Sequence, residues 1–338
     1  MKAVRFHRHG GPEVLQYEDA PDPVADSGRA LVRVRACALN HLDLWERRGM
    51  ERVMLPLPHI SGSDVAGEVV SADGSMPAGT RVMLQPGLRC GSCDACRAGR
   101  DNHCVSYDVL GFRSDGGYAE LLAIPVENLI PIPPHVEFIT AAAFPLTFLT
   151  AWHMLVTRAA LQEGETVLVL AGGSGVGQAS IQLARCLGAR VFATSASDKI
   201  DRTRALGADA VFDHYSGDYA REVRRLTAGR GVDIVVEHVG EATWDRSMRS
   251  LANGGRLVTC GATTGPRGAI DLRHLFARQL SLLGSYMGTF AELRTAARLL
   301  FDGSVRPIID KVVPLADAAA AQQRLEEKGQ FGKIVLEV

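Results

Sequence analysis

Four cysteines, Cys90, Cys93, Cys96 and Cys104, fall within fifteen residues at the spacing C-x2-C-x2-C-x7-C. Thiolates this close can share one tetrahedral ion, and four sulfurs leave no coordination position open for water or substrate. The spacing therefore predicts a structural zinc site, one ion per chain, and not a reaction centre. Two other readings are weaker. A bacterial iron–sulfur run has a last gap of three followed by proline; here the gap is seven and Val105 follows. Paired disulfides suit an oxidising compartment, whereas Cys37, Cys186 and Cys260 are scattered singly, as buried thiols are in a reducing one. Gly91, Gly99, Asp101 and Asn102 supply turn formers for a lobe over residues 86–110.

Bulk properties exclude some functions. A chain of 338 residues is long enough for about two domains. Its net charge of -1 lacks the dense basic face of a nucleic-acid binder. The start, Met1-Lys2-Ala3-Val4-Arg5-Phe6, has no apolar signal core, and no run approaches the roughly 18 apolar residues of a membrane helix. The expectation is a cytoplasmic protein acting on a small molecule, with neither nucleic acid nor membrane as partner.

The pattern changes near residue 150. Residues 30–36 alternate apolar and basic side chains, as a half-buried strand does. Residues 62–70 and 79–84 look similar, and prolines at 56, 58, 77, 86, 125, 131, 133 and 134 punctuate the region. This predicts a small, mostly β, barrel-like domain. Residues 140–157 read as a helical connector kinked at Pro145. From Glu165 the pattern becomes β-α-β-α: an apolar run at 166–171, a helix closed by Gly188, a strand at 190–194 and a helix over 198–206. Strand signals at 232–237, 256–260 and 280–285 continue it, so the fold class is α/β with a doubly wound parallel sheet.

Gly172-Gly173-Ser174-Gly175-Val176-Gly177 follows the first of these strands and opens a helix, the context in which a glycine-rich turn binds a dinucleotide. Gly172 is expected to allow the tight turn and Gly177 to bring helix against strand. Ser174 stands where a second glycine is usual, which leaves Gly175 for the close backbone approach. N–H groups at Gly175 and Val176 would then face the pyrophosphate. An NAD site usually carries Asp or Glu at the second strand's tip. Here the segment is Thr194-Ser195-Ala196-Ser197-Asp198-Lys199. Thr194, Ser195 and Lys199 offer donors and a positive charge to a 2′-phosphate, so NADPH is favoured and NADH stays possible. Asp198 is expected to cap the next helix.

Taken together, the zinc lobe, the glycine-rich turn, Asn40-His41-Leu42-Asp43, Gly62-Ser63-Asp64-Val65-Ala66-Gly67, the run from Pro145 to Trp152 and the ending Gly332-Lys333-Ile334-Val335-Leu336 resemble the medium-chain dehydrogenase/reductase superfamily. The resemblance spans the chain. It implies a GroES-like catalytic domain at 1–147 and 287–338 and an inserted Rossmann domain at 148–286, with the active site in the cleft between them. It also implies a homodimer or homotetramer. Thr150, Gly261, Ala262, Ser285 and Met287 match groups beside the nicotinamide, and His41 and Lys333 match basic residues approaching the pyrophosphate.

The departures matter most. Zinc alcohol dehydrogenases hold a catalytic zinc at positions matched here by Asn40, Ser63 and Leu146, and Leu42 replaces their proton-relay hydroxyl. A Lewis acid and a relay are both missing at the expected places. A shifted set of Cys37, His59 and Asp64 is the weaker alternative. What remains resembles the zinc-free quinone oxidoreductase and enoyl reductase branch, in which NADPH delivers hydride to a quinone, enone or enoyl thioester. Within it Asn40, Asp43 and Trp45 are the candidate catalytic residues. Asn40 could bind a carbonyl, Asp43 could anchor its loop and Trp45 could stack on a flat substrate. The alternatives are an alcohol or aldehyde dehydrogenase of the zinc type and, more remotely, a non-catalytic dinucleotide-binding protein.

Overall fold

A computed structural model describes residues 1–51, 53–72 and 76–338. The chain forms two compact units, one of Met1–Leu146 with Thr289–Val338 and one of Thr147–Gly288.

The first unit is built on one long antiparallel strand. In Arg29–Ala38, Ala30, Val32 and Val34 point inward while Arg29 and Arg33 face water, which matches the alternation of the sequence. Asp64–Ser71 and Leu121–Pro125 pair with it, and Lys333–Glu337 pairs with its end at Ala36, Cys37 and Ala38. The chain's last strand is thus brought beside Asn40. Buried Val4, Val65, Leu84, Tyr118, Leu122, Ile334 and Leu336 belong to one apolar core.

The second unit is a six-stranded parallel sheet. Its order from the edge is Ala210–Asp213, Arg190–Ser195, Thr166–Val169, Val232–Glu237, Leu251–Thr259 and Ser281–Gly284. All four residues of Thr166–Val169 are buried, as a central strand covered on both faces requires. The order reverses between Thr166–Val169 and Val232–Glu237, and a doubly wound sheet binds ligands at the carboxyl ends of such a pair.

Three local expectations need correction. The connector is not one kinked helix: Phe138–Ala142 ends, Pro145–Trp152 begins afresh, and His153–Arg158 follows as a π-helical turn. Proline disfavours a helical residue before it but suits a first helical position. Asp198 caps nothing. It lies inside a 3-10 turn, Ser197–Lys199, that runs directly into the helix Ile200–Ala205 without a side-chain cap. The edge strand Ala210–Asp213 was not expected; its four half-buried residues carry too short an apolar signal.

Candidate active site and metal lobe

In the second unit, Ala171 and not Gly172 adopts the left-handed backbone of the glycine-rich turn, with φ of 46°. Gly172 is small for packing: a Cβ there would lie 2.6 Å from Thr203 Cγ2 and 2.9 Å from Ile181 Cδ1. Gly177 acts as expected, since a Cβ would stand 2.2 Å from the Ala171 carbonyl oxygen. Ser174 is the N-cap of Gly175–Cys186, its Oγ accepting the Gly177 N–H at 2.9 Å. The N–H groups of Gly175 and Val176 point out of the same helix end, where the dipole favours an anion.

His238 joins this turn and was not singled out from sequence. Its Nε2 lies 2.8 Å from the Leu170 carbonyl oxygen and 3.4 Å from Ser174 Oγ. Burial holds its pKa below the usual value, so the ring is neutral and Nε2–H donates to Leu170. A Cβ on Gly261 would approach the His238 carbonyl at 3.2 Å, and one on Gly240 would approach Ala262 Cα at 3.0 Å. Loops from three adjacent strand ends therefore converge at the reversal of the sheet. Ser285 extends the edge, its N–H donating to the Thr259 carbonyl at 2.8 Å. Met287 is buried with φ of 50°, and Thr150 is buried in Pro145–Trp152.

The second strand's tip differs from expectation. Thr194 and Ser195 are buried: Thr194 Oγ1 accepts the Ala171 N–H at 3.0 Å, and Ser195 Oγ accepts the Thr203 hydroxyl at 3.0 Å. Neither hydroxyl is turned toward a ribose phosphate. Exposed Ser197 and Asp198 and half-buried Lys199 are the polar side chains left at the tip. Ser197 Oγ donates to Asp213, which pairs with Ser195 across the sheet. That bond, with the Tyr215 N–H, holds the Asp213 carboxyl well below the usual range.

In the first unit two of the three expected catalytic residues, Asn40 and Asp43, form a closed network with Asp64, Tyr118 and Lys333. Asn40 starts the helix His41–Arg48 with a capping box, Asp43 Oδ2 accepting the Asn40 N–H at 2.9 Å. The Asn40 amide donates to Asp64 Oδ2 at 2.9 Å and accepts from Lys333 Nζ at 2.6 Å. Lys333 Nζ also donates to Asp64 Oδ2 at 2.9 Å, and the Leu146 N–H donates to Asp64 Oδ1 at 2.7 Å. Tyr118 donates to Asp43 Oδ2 at 2.7 Å. Burial pushes the Asp43 carboxyl up to about 6 against the pull of Asn40 N–H and Tyr118. Burial, with Asp43 adding to it, raises Glu46 well above the carboxylate range. Ser61 donates to Glu46 Oε2 at 2.6 Å.

Asp43 is fully buried and anchors its loop through the Asn40 N–H and Tyr118, touching no open space. Two expectations change here. Lys333 is 3% exposed and balances Asp64, because an ammonium this deep needs a carboxylate partner. Both polar ends of Asn40 are already bonded. Trp45 stays half-exposed, its ring meeting that of His41 edge to face at 5.3 Å.

The residues at the ligand positions do not fit a catalytic zinc. Asn40 and Asp64 hold Lys333, Ser63 has only a hydroxyl, and Leu146 has none. The shifted set fails as well: Cys37 lies in the apolar core and His59 Nε2 bonds the Gly111 carbonyl at 2.8 Å. Among the described residues, the one group of three or more His, Cys, Asp or Glu placed to hold an ion is Cys90, Cys93, Cys96 and Cys104. Their sulfurs stand 3.5 Å (Cys93–Cys96, Cys90–Cys104) and 3.9 Å (Cys90–Cys96) apart. Tetrahedral bonds of about 2.3 Å separate sulfurs by roughly 3.8 Å, so zinc fits. N–H groups of Ser92 and Cys93 lower the Cys90 thiol to about 5, while burial and neighbouring sulfur raise Cys96 to about 12. A zinc ion between them would displace the remaining thiol protons and let all four sulfurs bind as thiolates.

Sequence and structure comparisons follow the same division. Residues 26–134 match the family model described as alcohol dehydrogenase GroES-like domain, and residues 175–302 match that described as zinc-binding dehydrogenase. A quinone oxidoreductase of Mus musculus is 30% identical over 349 residues, covering 99% of this chain and 97% of the relative. An acryloyl-coenzyme A reductase of Metallosphaera sedula is 28% identical, covering 99% of each. A crystal structure described as an NAD-dependent alcohol dehydrogenase is 44% identical, covers 100% of both chains and superposes with a TM-score of 0.97.

Proposed function

Because the chain belongs to the medium-chain dehydrogenase/reductase superfamily, we propose that it is an NADPH-dependent reductase passing hydride to an electron-poor acceptor, a quinone, enone or enoyl thioester, at a centre without a metal. One observation carries this reading. Of the positions that would hold a catalytic zinc, Asn40 is instead tied to Asp64 and Lys333, and Ser63 and Leu146 offer neither thiolate nor imidazole. Oxidising an unactivated alcohol needs its hydroxyl proton removed, and a Lewis acid usually makes it acidic. A quinone or conjugated alkene carries its own electron withdrawal.

Bound NADPH would supply the hydride. Ser174, Gly175, Val176 and Gly177 would seat its pyrophosphate, His238 keeping Ser174 in place. Thr150, Gly261, Ala262, Ser285 and Met287 would surround the nicotinamide, and Trp45 with His41 would offer an aromatic face to the acceptor. The preference for NADPH rests on Lys199 and on the lack of a carboxylate on the second strand's own tip. Asp198, beside Lys199 in the turn that follows, and Asp213, one strand away, act against it. The protein is proposed to be cytoplasmic and to work as a homodimer or homotetramer.

Fluorescence titration should give tighter binding of NADPH than NADH, with Lys199→Glu weakening NADPH selectively. A panel of quinones and conjugated enones should include at least one that oxidises NADPH, and simple alcohols should react far more slowly. Turnover of alcohols alone would favour the second reading, an NAD-dependent alcohol dehydrogenase like the 44% identical structure.

A further inference from the structure

The metal lobe is tied to the chain's return from its second unit. Thr289–Val338 begins with the helix Phe290–Phe301, which starts two residues past the end of the second unit. The first N–H groups of any helix lack partners within it. Here Thr289 and Glu292 form a capping box: the Thr289 N–H donates to Glu292 Oε2 at 2.6 Å, and the Glu292 N–H to Thr289 Oγ1 at 3.2 Å. The Phe290 N–H is answered from 189 residues away. It donates at 2.9 Å to Oδ2 of Asp101, which is 2% exposed and three residues before Cys104.

A second lobe residue meets the same helix. The Arg89 guanidinium, beside Cys90, stands 4.2 Å from the Phe290 ring centroid, 3.5 Å from Asp101 Oδ1 and 2.8 Å from Glu127 Oε2. Arg294 of the helix donates to the Glu127 carbonyl at 3.2 Å. The lobe's helix Asp94–Arg97 has four residues, too few to persist alone. Val105 beyond it is 87% exposed.

We propose that Arg89 and Asp101 are positioning residues that clasp the start of Phe290–Phe301 to the zinc lobe, so that metal binding and the seating of the returning chain form one equilibrium. The four thiolates fix the lobe around the ion. The fixed lobe presents a carboxylate to the positive end of the helix and a guanidinium to the ring of Phe290. Coupling of this kind is reciprocal: what the metal does for the helix, the helix does for the metal.

Hydrogen–deuterium exchange of the full-length chain, read on peptides covering residues 286–294, tests the clasp alongside zinc release to a chromogenic chelator. Stripping the zinc should speed exchange at the Phe290 amide, and so should Asp101→Ala with zinc still bound. Asp101→Ala and Arg89→Ala should release zinc about tenfold faster, a change of about 1.4 kcal/mol. Asp101→Asn, which keeps an acceptor oxygen, should restore part of the protection. Val105→Ala, which trims a lobe side chain that is 87% exposed, should change neither reading. Protection of 286–294 that survives zinc removal, while peptides of the lobe itself loosen, would overturn the proposal. So would zinc release from Asp101→Ala at the parent rate. If the alanine variants do not fold, the stripped parent chain and Asp101→Asn decide the question.

Discussion

In the sequence Asn40 and Asp43 stand among the candidate catalytic residues, Lys333 among the coenzyme contacts and Asp64 in an alternative metal set; their partners make all four structural. Lys333 lies 293 residues from Asn40, and only the pairing of Lys333–Glu337 with Arg29–Ala38 brings them together. No local pattern announces that distance, nor that Tyr118 would reach Asp43. Removing the ammonium should leave Asp64 as an uncompensated buried charge. Lys333→Met should therefore cost about 3–5 kcal/mol in urea unfolding, and a loss below 1 kcal/mol would contradict a structural role for this ion pair. Asp43 gives a pH signature. Its folded pKa of about 6 lies above the ordinary aspartate value of 3.8, so the folded state binds more protons than the unfolded state across that window. Stability then falls as pH rises from about 4 to about 6. Asp43→Asn should flatten this part of the dependence, read as the difference in melting temperature between parent and variant at each pH. An unchanged slope would reassign the titration to Glu46.

At the scale of elements, the glycine-rich turn was legible because its chemistry is local: strand, glycines and helix follow one another. The division of labour inside it was not. The left-handed residue is Ala171, and Ser174 fills a capping role that its type and position could have signalled. His238 gave no sequence signal, since it reaches Ser174 only through the strand order of the sheet. These roles predict different outcomes. Gly177→Ala drives a methyl into the backbone of Ala171 and should weaken coenzyme binding at least tenfold, about 1.4 kcal/mol. Ser174→Ala should cost about 1 kcal/mol of stability through the lost cap. Calorimetric titration with NADPH separates the two, and equal affinities for Gly177→Ala and parent would contradict the close approach.

For the whole molecule, the four cysteines were readable because ligands within fifteen residues need no tertiary information to share an ion. The parallel sheet was readable from its buried apolar strands, apart from the short edge strand Ala210–Asp213. The tip of Arg190–Ser195 was misread because side-chain direction at a strand end depends on neighbours: Thr194 turns to Ala171 and Ser195 to Thr203. The central claim is that hydride leaves NADPH for an activated acceptor at a centre without a metal, the chain's zinc being confined to its four-cysteine lobe. Zinc content per chain, measured on protein whose NADPH-dependent turnover of a quinone or enone has been recorded before and after a strong chelator, tests it most directly. The account predicts one zinc per chain and turnover indifferent to the chelator over the assay. Two zincs per chain, with turnover lost as the second is removed, would contradict it.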